Sequence, residues 1–556
     1  MDDAISQFVE RHTQLVERER AYEMEQTREL AARLRPTYLQ KLGLGLAGLR
    51  ITQTRTGLGG KLVLTAEAYV AGDTLAPTTL RVGDIVGVQD AKYDSKPEAK
   101  HDAKSEASHL SGVVWAITDT LIKIALNSDT DIPAEWRERC SVVKLANDTT
   151  YTRILHALRG LLACAQRPEL HHVLFGTSAP SFDKSQVAFL DESLNESQRQ
   201  AVQRAVDAHN VALIHGPPGT GKTHTVVECV RQLVARKQRV LVCGPSNVAV
   251  DNLVERLARV RDIRLVRLGH PARILPGAVS HSLSYQTKYS DQGALLRDVR
   301  AELDSALSRI SKCKRAAERR ELYGAIKDLR KEFRRREAQV ITQTVAGAQV
   351  VLSTLSGAAS RDLAKCGARF DVVVIDEATQ AVEGECWIAA LQAPKLILAG
   401  DHHQLPPTVK SQAADNLLDT TLFERVRTKF GSLVCCMLST QYRMHEDIMR
   451  VSSDRLYDGL LVADPAVASH VLSDLDHIDD TDDTRVPLVF IDTADAGMLE
   501  DTDAAELRGS LSDQDSKLNR GEAQLTIAHV QRLLDAGVPQ TDIAVISPYN
   551  AQVRLL

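Results

Sequence analysis

The chain has 556 residues, 44% of them hydrophobic and 25% charged, with a net charge of −5. That length exceeds what one hydrophobic core sustains, so several domains are expected, and the acidic balance excludes a global positive field, leaving only local patches for any nucleic-acid partner. No apolar run nears the ~20 residues of a membrane helix, the acidic start is unlike a secretory signal, and the nine scattered cysteines lack zinc-ligand spacing and read as reduced thiols of the cytoplasm or nucleus.

Residues 4 to 35 space their apolar positions as a long, charged helix does. From about Gly43 to Leu145 the pattern alternates between Gly breaks, as in "KLVLTAEAYV" and "LRVGDIVGVQD", which predicts a small β-barrel. Within it, the polar residues 91 to 109 are expected to form a loop between two strands. Helix returns over 146 to 166. From about Asp191, apolar runs such as "VALIHG", "RVLVCGP", "FDVVVIDEA" and "KLILAGD" read as buried parallel strands, each followed by a helix or polar loop. A charged helical stretch interrupts them at 291 to 340. A second α/β region is expected from near Val434 and is still running at Leu556, with Val545 and Ile546 in a buried strand. The stretches "SDLDHIDDTDDTR" and "LEDTDAAEL" read as solvated acidic loops.

Gly216, Pro217, Pro218, Gly219, Thr220, Gly221, Lys222 and Thr223 spell a Gly-rich phosphate loop between a strand and a helix. Small residues let backbone N–H groups turn inward around phosphate oxygens, and the helix N-terminus adds positive potential. Lys222 is placed for the β- and γ-phosphates and Thr223 for Mg²⁺. The strand "VVVI" ends in Asp376, a second candidate for Mg²⁺, and Glu377, a candidate general base for the attacking water. "KLILAGDHHQLPPT" ends a further strand, with Gln404 able to sense the γ-phosphate. His402 and His403 are adjacent, and no partner cluster for a metal is visible in the sequence.

These motifs resemble those of superfamily 1 helicases. "LNESQRQAV" is similar to the Q motif, which implies that Gln198 reads the adenine edge; "GPSNVAVDNLVERL" is similar to motif Ia, "DEATQ" to motif II and "GDHHQLPPT" to motif III. "LSTQYRMHEDIM" resembles the segment that brings Arg443 to the nucleotide as an arginine finger, with Tyr442 stacking on adenine. "QYRMH" and "ISPYNAQV" point to the up-frameshift-type, 5′-to-3′ branch, and "QTRTGLGGKLVLT", "LFGTSAPS" and "RLGHPARIL" to the immunoglobulin mu-binding protein 2 helicases within it. The resemblance implies ATP and Mg²⁺ as cofactors and an α/β fold of two RecA-like P-loop domains, the second incomplete, with an inserted β-barrel (1B) on a helical stalk and a helical insertion (1C). It places a stalk helix at 1–40, the barrel at 41–145, a stalk helix and linker at 146–184, the first RecA-like domain at 185–428 with its insertion at about 275–340, and the second at 429–556. The family continues past "ISPYNAQV" to two further motifs, so the chain is expected to be cut inside its second RecA-like domain, to hydrolyse ATP poorly and to expose apolar surface there.

Between Arg309 and Arg336 lie twelve Lys/Arg against four Asp/Glu. With the helicase motifs, this excess favours backbone phosphate contact, with Arg334, Arg335 and Arg336 as candidates. Ser246, Asn247 and Thr354, short hydrogen-bonding residues on loops at strand ends, suit phosphate and sugar contacts. The expected activity is that of an ATP-dependent helicase or translocase on single-stranded and duplex DNA and RNA, working as a monomer, with ribonucleoproteins among its partners and no membrane. The alternatives are an ATP-gated clamp that remodels ribonucleoproteins and a non-catalytic binding protein.

Overall fold

The computed structural model of the chain describes residues 2–556 except 34–35, 42, 57–61, 71, 91–108, 127–131, 133, 146–147, 165–166, 262, 313–314, 412–416 and 502–515. The loop expected at 91–109 lies outside the described residues apart from its last position, and so does most of the acidic stretch 499–507. The chain divides into two compact units, Met1–Gly216 with Lys222–Met437, and Pro217–Gly221 with Leu438–Leu556.

The first unit opens on helix α1 (Asp2–Arg33), which packs along α2 (Asp148–Ala163). Ile5, Val9 and Val16 of α1 and Ile154, Leu155, Leu158 and Leu161 of α2 are buried; this three-to-four spacing draws one apolar stripe down each helix. Between the two helices the chain makes a closed antiparallel barrel from β1 (Gly45–Thr56), β2 (Leu62–Ala68), β3 (Ile85–Asp90), β4 (His109–Ile117), β5 (Leu121–Leu126) and β6 (Cys140–Lys144), in the order β1-β2-β5-β4-β3-β6. Its interior is filled by alternate residues, Leu64 and Ala66, Val86 and Val88, Ile122, Ile124 and Leu126, the period of two that a half-buried strand dictates. Closure needs a bare backbone at Gly112, where a Cβ would lie 2.6 Å from Ile124 Cγ2 and 2.8 Å from the Ala125 carbonyl oxygen.

After α3 (Glu196–Asp207), the strands β7 (Val211–His215), β8 (Val240–Gly244), β9 (Leu265–Arg267), β10 (Val350–Thr354), β11 (Val372–Ile375), β12 (Lys395–Gly400) and β13 (Cys435–Met437) form one parallel sheet, ordered β13-β7-β12-β11-β8-β10-β9. Strands β7, β8, β11 and β12 are buried along their full length, as expected where helices such as α4 (Lys222–Ala235) and α5 (Asn247–Ala258) cover a sheet. The charged insertion is a pair of helices, α6 (Asp291–Lys312) and α7 (Ala316–Gly347), whose seam is Leu296, Val299, Phe333 and Val340. The hairpin's second helix thus runs past 340.

Two sequence expectations meet a different structure. Cys435–Met437 pairs with β7 as the edge strand of the first sheet, so the first unit extends past the expected boundary at 428. In the second unit the described residues contain one sheet, the two-residue parallel strands β14 (Thr440–Gln441) and β15 (Val462–Ala463). The apolar runs at 486–491 and 543–546 are irregular there, with Phe490 86% and Ile546 91% exposed. Apolar sequence alone does not make a strand: the backbone must find a neighbour for its N–H and C=O groups, and β14 and β15 are too short to offer a platform. No helix among the described residues is long and apolar enough to cross a membrane.

Candidate functional site

The candidate residues of the first unit follow the carboxyl ends of parallel strands, where open α/β sheets bind ligands. Lys222 and Thr223 follow β7, Asp376 and Glu377 follow β11, Gln404 follows β12; Ser246 and Asn247 follow β8, and Thr354 closes β10 in register with Gly244. The sheet order therefore sorts them. The phosphate residues fall on the adjacent strands β7, β12 and β11, and the candidate nucleic-acid contacts on the adjacent strands β8 and β10.

Gly219 and Gly221 take φ +79° and +76°, a left-handed backbone that only glycine adopts without strain. Gly216 has no room for a side chain, since a Cβ would lie 2.6 Å from Lys222 Cβ. Lys222 is buried and its Nζ lies 2.6 Å from Glu377 Oε1 and 3.9 Å from Asp376 Oδ1. Asp376 is 3% exposed. Burial pushes its carboxyl up to about 6; Lys222 opposes that shift and Glu377 adds to it. Glu377 sits at φ +54° without being a glycine, a strained conformation of the kind found at functional sites, and its other oxygen accepts from Gln380 Nε2 at 3.1 Å. A buried carboxylate at Asp376 and a hydroxyl at the helix start, Thr223, are hard-oxygen donors of the kind that fit Mg²⁺. Glycines at positive φ fit a cradle of backbone N–H groups around phosphate.

Gln404 donates from Nε2 to Asp401 Oδ2 at 2.7 Å. Asp401, 1% exposed, also accepts from His215 Nε2 at 3.0 Å, from His403 N at 3.2 Å and, through its carbonyl, from Thr379 Oγ1 at 3.1 Å. His402 stands against His215, so one of the two adjacent histidines does have a cluster: ligand atoms of His215, Asp401 and His402 all lie within 4.8 Å of one another. Proton bookkeeping disfavours a metal on it. Arg427 Nη1 lies 2.8 Å from His402 Nε2 and has only donors to offer, so that nitrogen must be the acceptor. Burial, then Arg427, holds the His402 imidazole down at about 4; the neutral ring therefore carries its proton on Nδ1, leaving no lone pair there. Asp401 and His215 act as a brace between the strand that enters the phosphate loop and the strand that carries Gln404.

At the ends of β8 and β10, Ser246 Oγ caps α5 by accepting from Ala249 N at 3.1 Å, and Thr354 Oγ1 accepts from Gly357 N at 3.1 Å. Both hydroxyls keep a hydrogen to donate. Asn247 Oδ1 accepts from Arg267 Nη2 at 2.8 Å, which fixes the amide with its NH₂ end as the one left to turn toward a phosphate oxygen. Arg267 is fully buried and is held in turn by Asp251 at 2.7 Å. On α7, Arg334 and Arg335 are exposed, whereas Arg336 pairs with Glu332 at 2.6 Å. Gln198 is 4% exposed and serves as the third residue of a capping box, its Oε1 accepting from Asn195 N at 3.0 Å; this is a structural engagement that the motif alone does not reveal.

The second unit contains the loop Pro217–Gly221 and the segment with Tyr442 and Arg443. Tyr442 N donates to the Gly219 carbonyl at 2.9 Å, and a Cβ on Gly219 would come within 2.8 Å of Arg443 Cβ. The turn is built by Gln441, fully buried, whose Oε1 accepts from Arg443 N and Met444 N at 2.8 Å each. Sequence reasoning missed Gln441, Arg267 and the His215–Asp401 pair. A charged residue inside the apolar run "RLVRLG" and a histidine ending "VALIH" were the available signals.

Three family models match the chain: an AAA domain over 193–412, a second AAA domain over 418–556, and the 1B domain of helicase SMUBP-2/HCS1 over 9–145. DNA polymerase alpha-associated DNA helicase A of Schizosaccharomyces pombe is 40% identical over 567 residues, covering 100% of this chain and 84% of that protein. The protein of the same name in Saccharomyces cerevisiae is 35% identical, covering 97% and 84%. DNA-binding protein SMUBP-2 of Mus musculus is 41% identical over 99% of this chain, which spans 55% of the mouse protein's length. These likenesses run through the barrel, the phosphate loop and the second unit alike, and on them the chain belongs to the SMUBP-2/HCS1 family of helicases.

Proposed function

We propose that the protein is an ATP-driven helicase that translocates 5′ to 3′ on single-stranded DNA, and on RNA, to open duplexes. The observation that carries this reading is the convergence of Lys222, Asp376 and Glu377, with distances of 2.6 and 3.9 Å, on strand ends next to those that bear Ser246, Asn247 and Thr354. One sheet thus carries the candidate phosphate residues beside three short hydrogen-bonding side chains. DNA is favoured as the first substrate to test, since the relatives are named DNA helicase and DNA-binding protein.

ATP enters the loop at Gly216–Thr223, and Lys222 exchanges Glu377 for the β- and γ-phosphates. Thr223 and Asp376 would hold Mg²⁺, which supplies charge neutralisation between those phosphates. Lys222's departure frees Glu377 to accept the proton of the attacking water. Gln404 turns its amide from Asp401 toward the γ-phosphate, and Arg443 neutralises charge developing there. Donors at the β8 and β10 loops hold the strand by its backbone, which positions it without reading sequence. The test is duplex unwinding with 5′ and 3′ overhangs beside strand-stimulated ATPase. For the full-length protein, unwinding from the 5′ overhang is expected; unwinding from the 3′ overhang contradicts the polarity, and stimulated hydrolysis without unwinding from either favours the clamp.

A further inference from the structure

The stalk reaches into the loops at both ends of the proposed cycle. On α1, the carboxylate of Glu19, 6% exposed, accepts from two successive backbone N–H groups, Lys410 N at 2.7 Å and Ser411 N at 2.9 Å. One turn on, Glu23 accepts from Lys410 Nζ at 2.6 Å and from the Tyr151 hydroxyl of α2 at 2.7 Å. Lys410 lies six residues beyond Gln404 on one irregular segment, in which Pro406 and Pro407 fix φ. One short run of chain therefore joins Gln404 to the residues that α1 holds.

The second stalk helix touches the nucleic-acid side. Arg153 Nη1 donates to the Ser356 carbonyl at 2.9 Å, and Thr150 lies 3.4 Å from Ser356 Oγ, two residues after Thr354. Arg20 ties the two helices together through a bidentate pairing with Asp148 at 2.5 and 2.9 Å. The barrel is inserted between the same pair of helices, and the loop before β3 is held by Arg273, which donates to the Gly83 carbonyl at 2.9 Å.

We propose that Glu19 and Glu23 are positioning residues that couple the γ-phosphate sensor to the strand grip, through the stalk, so that the nucleotide bound at the phosphate loop sets the affinity for a single strand. This rests on the helicase reading above. Two charged carboxylates that serve a loop on one side and a helix on the other have no task in binding ATP or in holding a strand by themselves. Their bonds run between the two, and coupling between sites is a property of such shared elements.

The measurement is the ratio of single-stranded oligonucleotide Kd with ADP to that with a non-hydrolysable ATP analogue, in wild type, in Glu19→Gln/Glu23→Gln, in Tyr151→Phe and in the charge swap Glu23→Lys/Lys410→Glu. Wild type should show a ratio away from one, on the order of the 5–150-fold typical of coupled sites. The Glu-to-Gln pair should bring the ratio toward one while the Kd for ATP and the nucleotide-free Kd for the strand stay within about twofold. Tyr151→Phe, which deletes one hydroxyl and no packing, should move it part way, and the swap should restore part of it. An unchanged ratio in both the Glu-to-Gln pair and Tyr151→Phe overturns the proposal, as does a parallel loss of all affinities with the ratio preserved, the mark of a merely structural role. A wild-type ratio of one would contradict the helicase reading itself, an outcome distinct from failure of the variants.

Discussion

Lys222 and Glu377 form an ion pair of 2.6 Å in a site with a buried second carboxylate, and this fixes the sign of a substitution at Glu377. Glu377→Gln removes the proposed general base and also the carboxylate that holds Lys222. Hydrolysis should fall by about 10²–10⁴, while ATP binding should stay or tighten. Equilibrium titration with a fluorescent ATP analogue checks this, and weaker binding would make the residue structural. A second prediction concerns His171, buried against Trp387 at a ring distance of 5.6 Å, whose Nδ1 has no hydrogen-bond partner among the described residues. Burial, then Arg167 and His172, pull its imidazole down to about 4 from 6.5. The folded state keeps it neutral, so between those values the unfolded chain binds more protons. Stability is complete above about pH 6.5 and is lost as pH falls toward 4, by up to ~3 kcal/mol from this one group. His171→Leu should flatten urea-derived stability over that window, and an unaltered slope would show that the ring is not the titrating group.

At the scale of elements, α7 presents Arg334 and Arg335 to solvent while Arg336 is engaged with Glu332. Replacing all three by Gln should weaken strand binding and reduce its log–log salt slope by roughly 0.7 for each phosphate no longer neutralised, leaving unstimulated ATPase little changed; a constant slope would make the hairpin a solvated face. The apolar segments of the second unit make a different prediction. Phe490 and Ile546 lie open to solvent, so Phe490→Ser/Ile546→Ser should cut hydrophobic-dye binding and aggregation without altering ATP affinity; unchanged dye fluorescence would mean that these segments are covered in solution. What the sequence made legible follows from locality. The phosphate loop is built by spacing within eight consecutive residues, and the barrel and the buried parallel strands by periodicity within single runs. The strand assignment at 543–546 failed because a strand is made by its neighbours. Glu19, Arg267 and Gln441 were invisible as site residues because each acts through a partner that only tertiary structure supplies. Asn247 was found by its motif, but the arginine that orients its amide lies twenty positions away and reads as an anomaly in a strand.

Taken as a whole molecule, the chain gathers the candidate phosphate residues and the candidate strand contacts Ser246, Asn247 and Thr354 onto one parallel sheet, with a barrel carried on two helices. The central claim is that hydrolysis at the Gly216–Thr223 loop is driven by a bound strand. The most direct measurement is steady-state ATPase with and without a single-stranded oligonucleotide, for the wild-type protein and Lys222→Ala, whose missing ammonium no longer faces the β- and γ-phosphates. The expected result is stimulation by the oligonucleotide in the wild type and loss of both basal and stimulated turnover in the variant, with strand binding in the absence of nucleotide retained. Turnover in Lys222→Ala equal to the wild type, or wild-type hydrolysis indifferent to the strand, would contradict it.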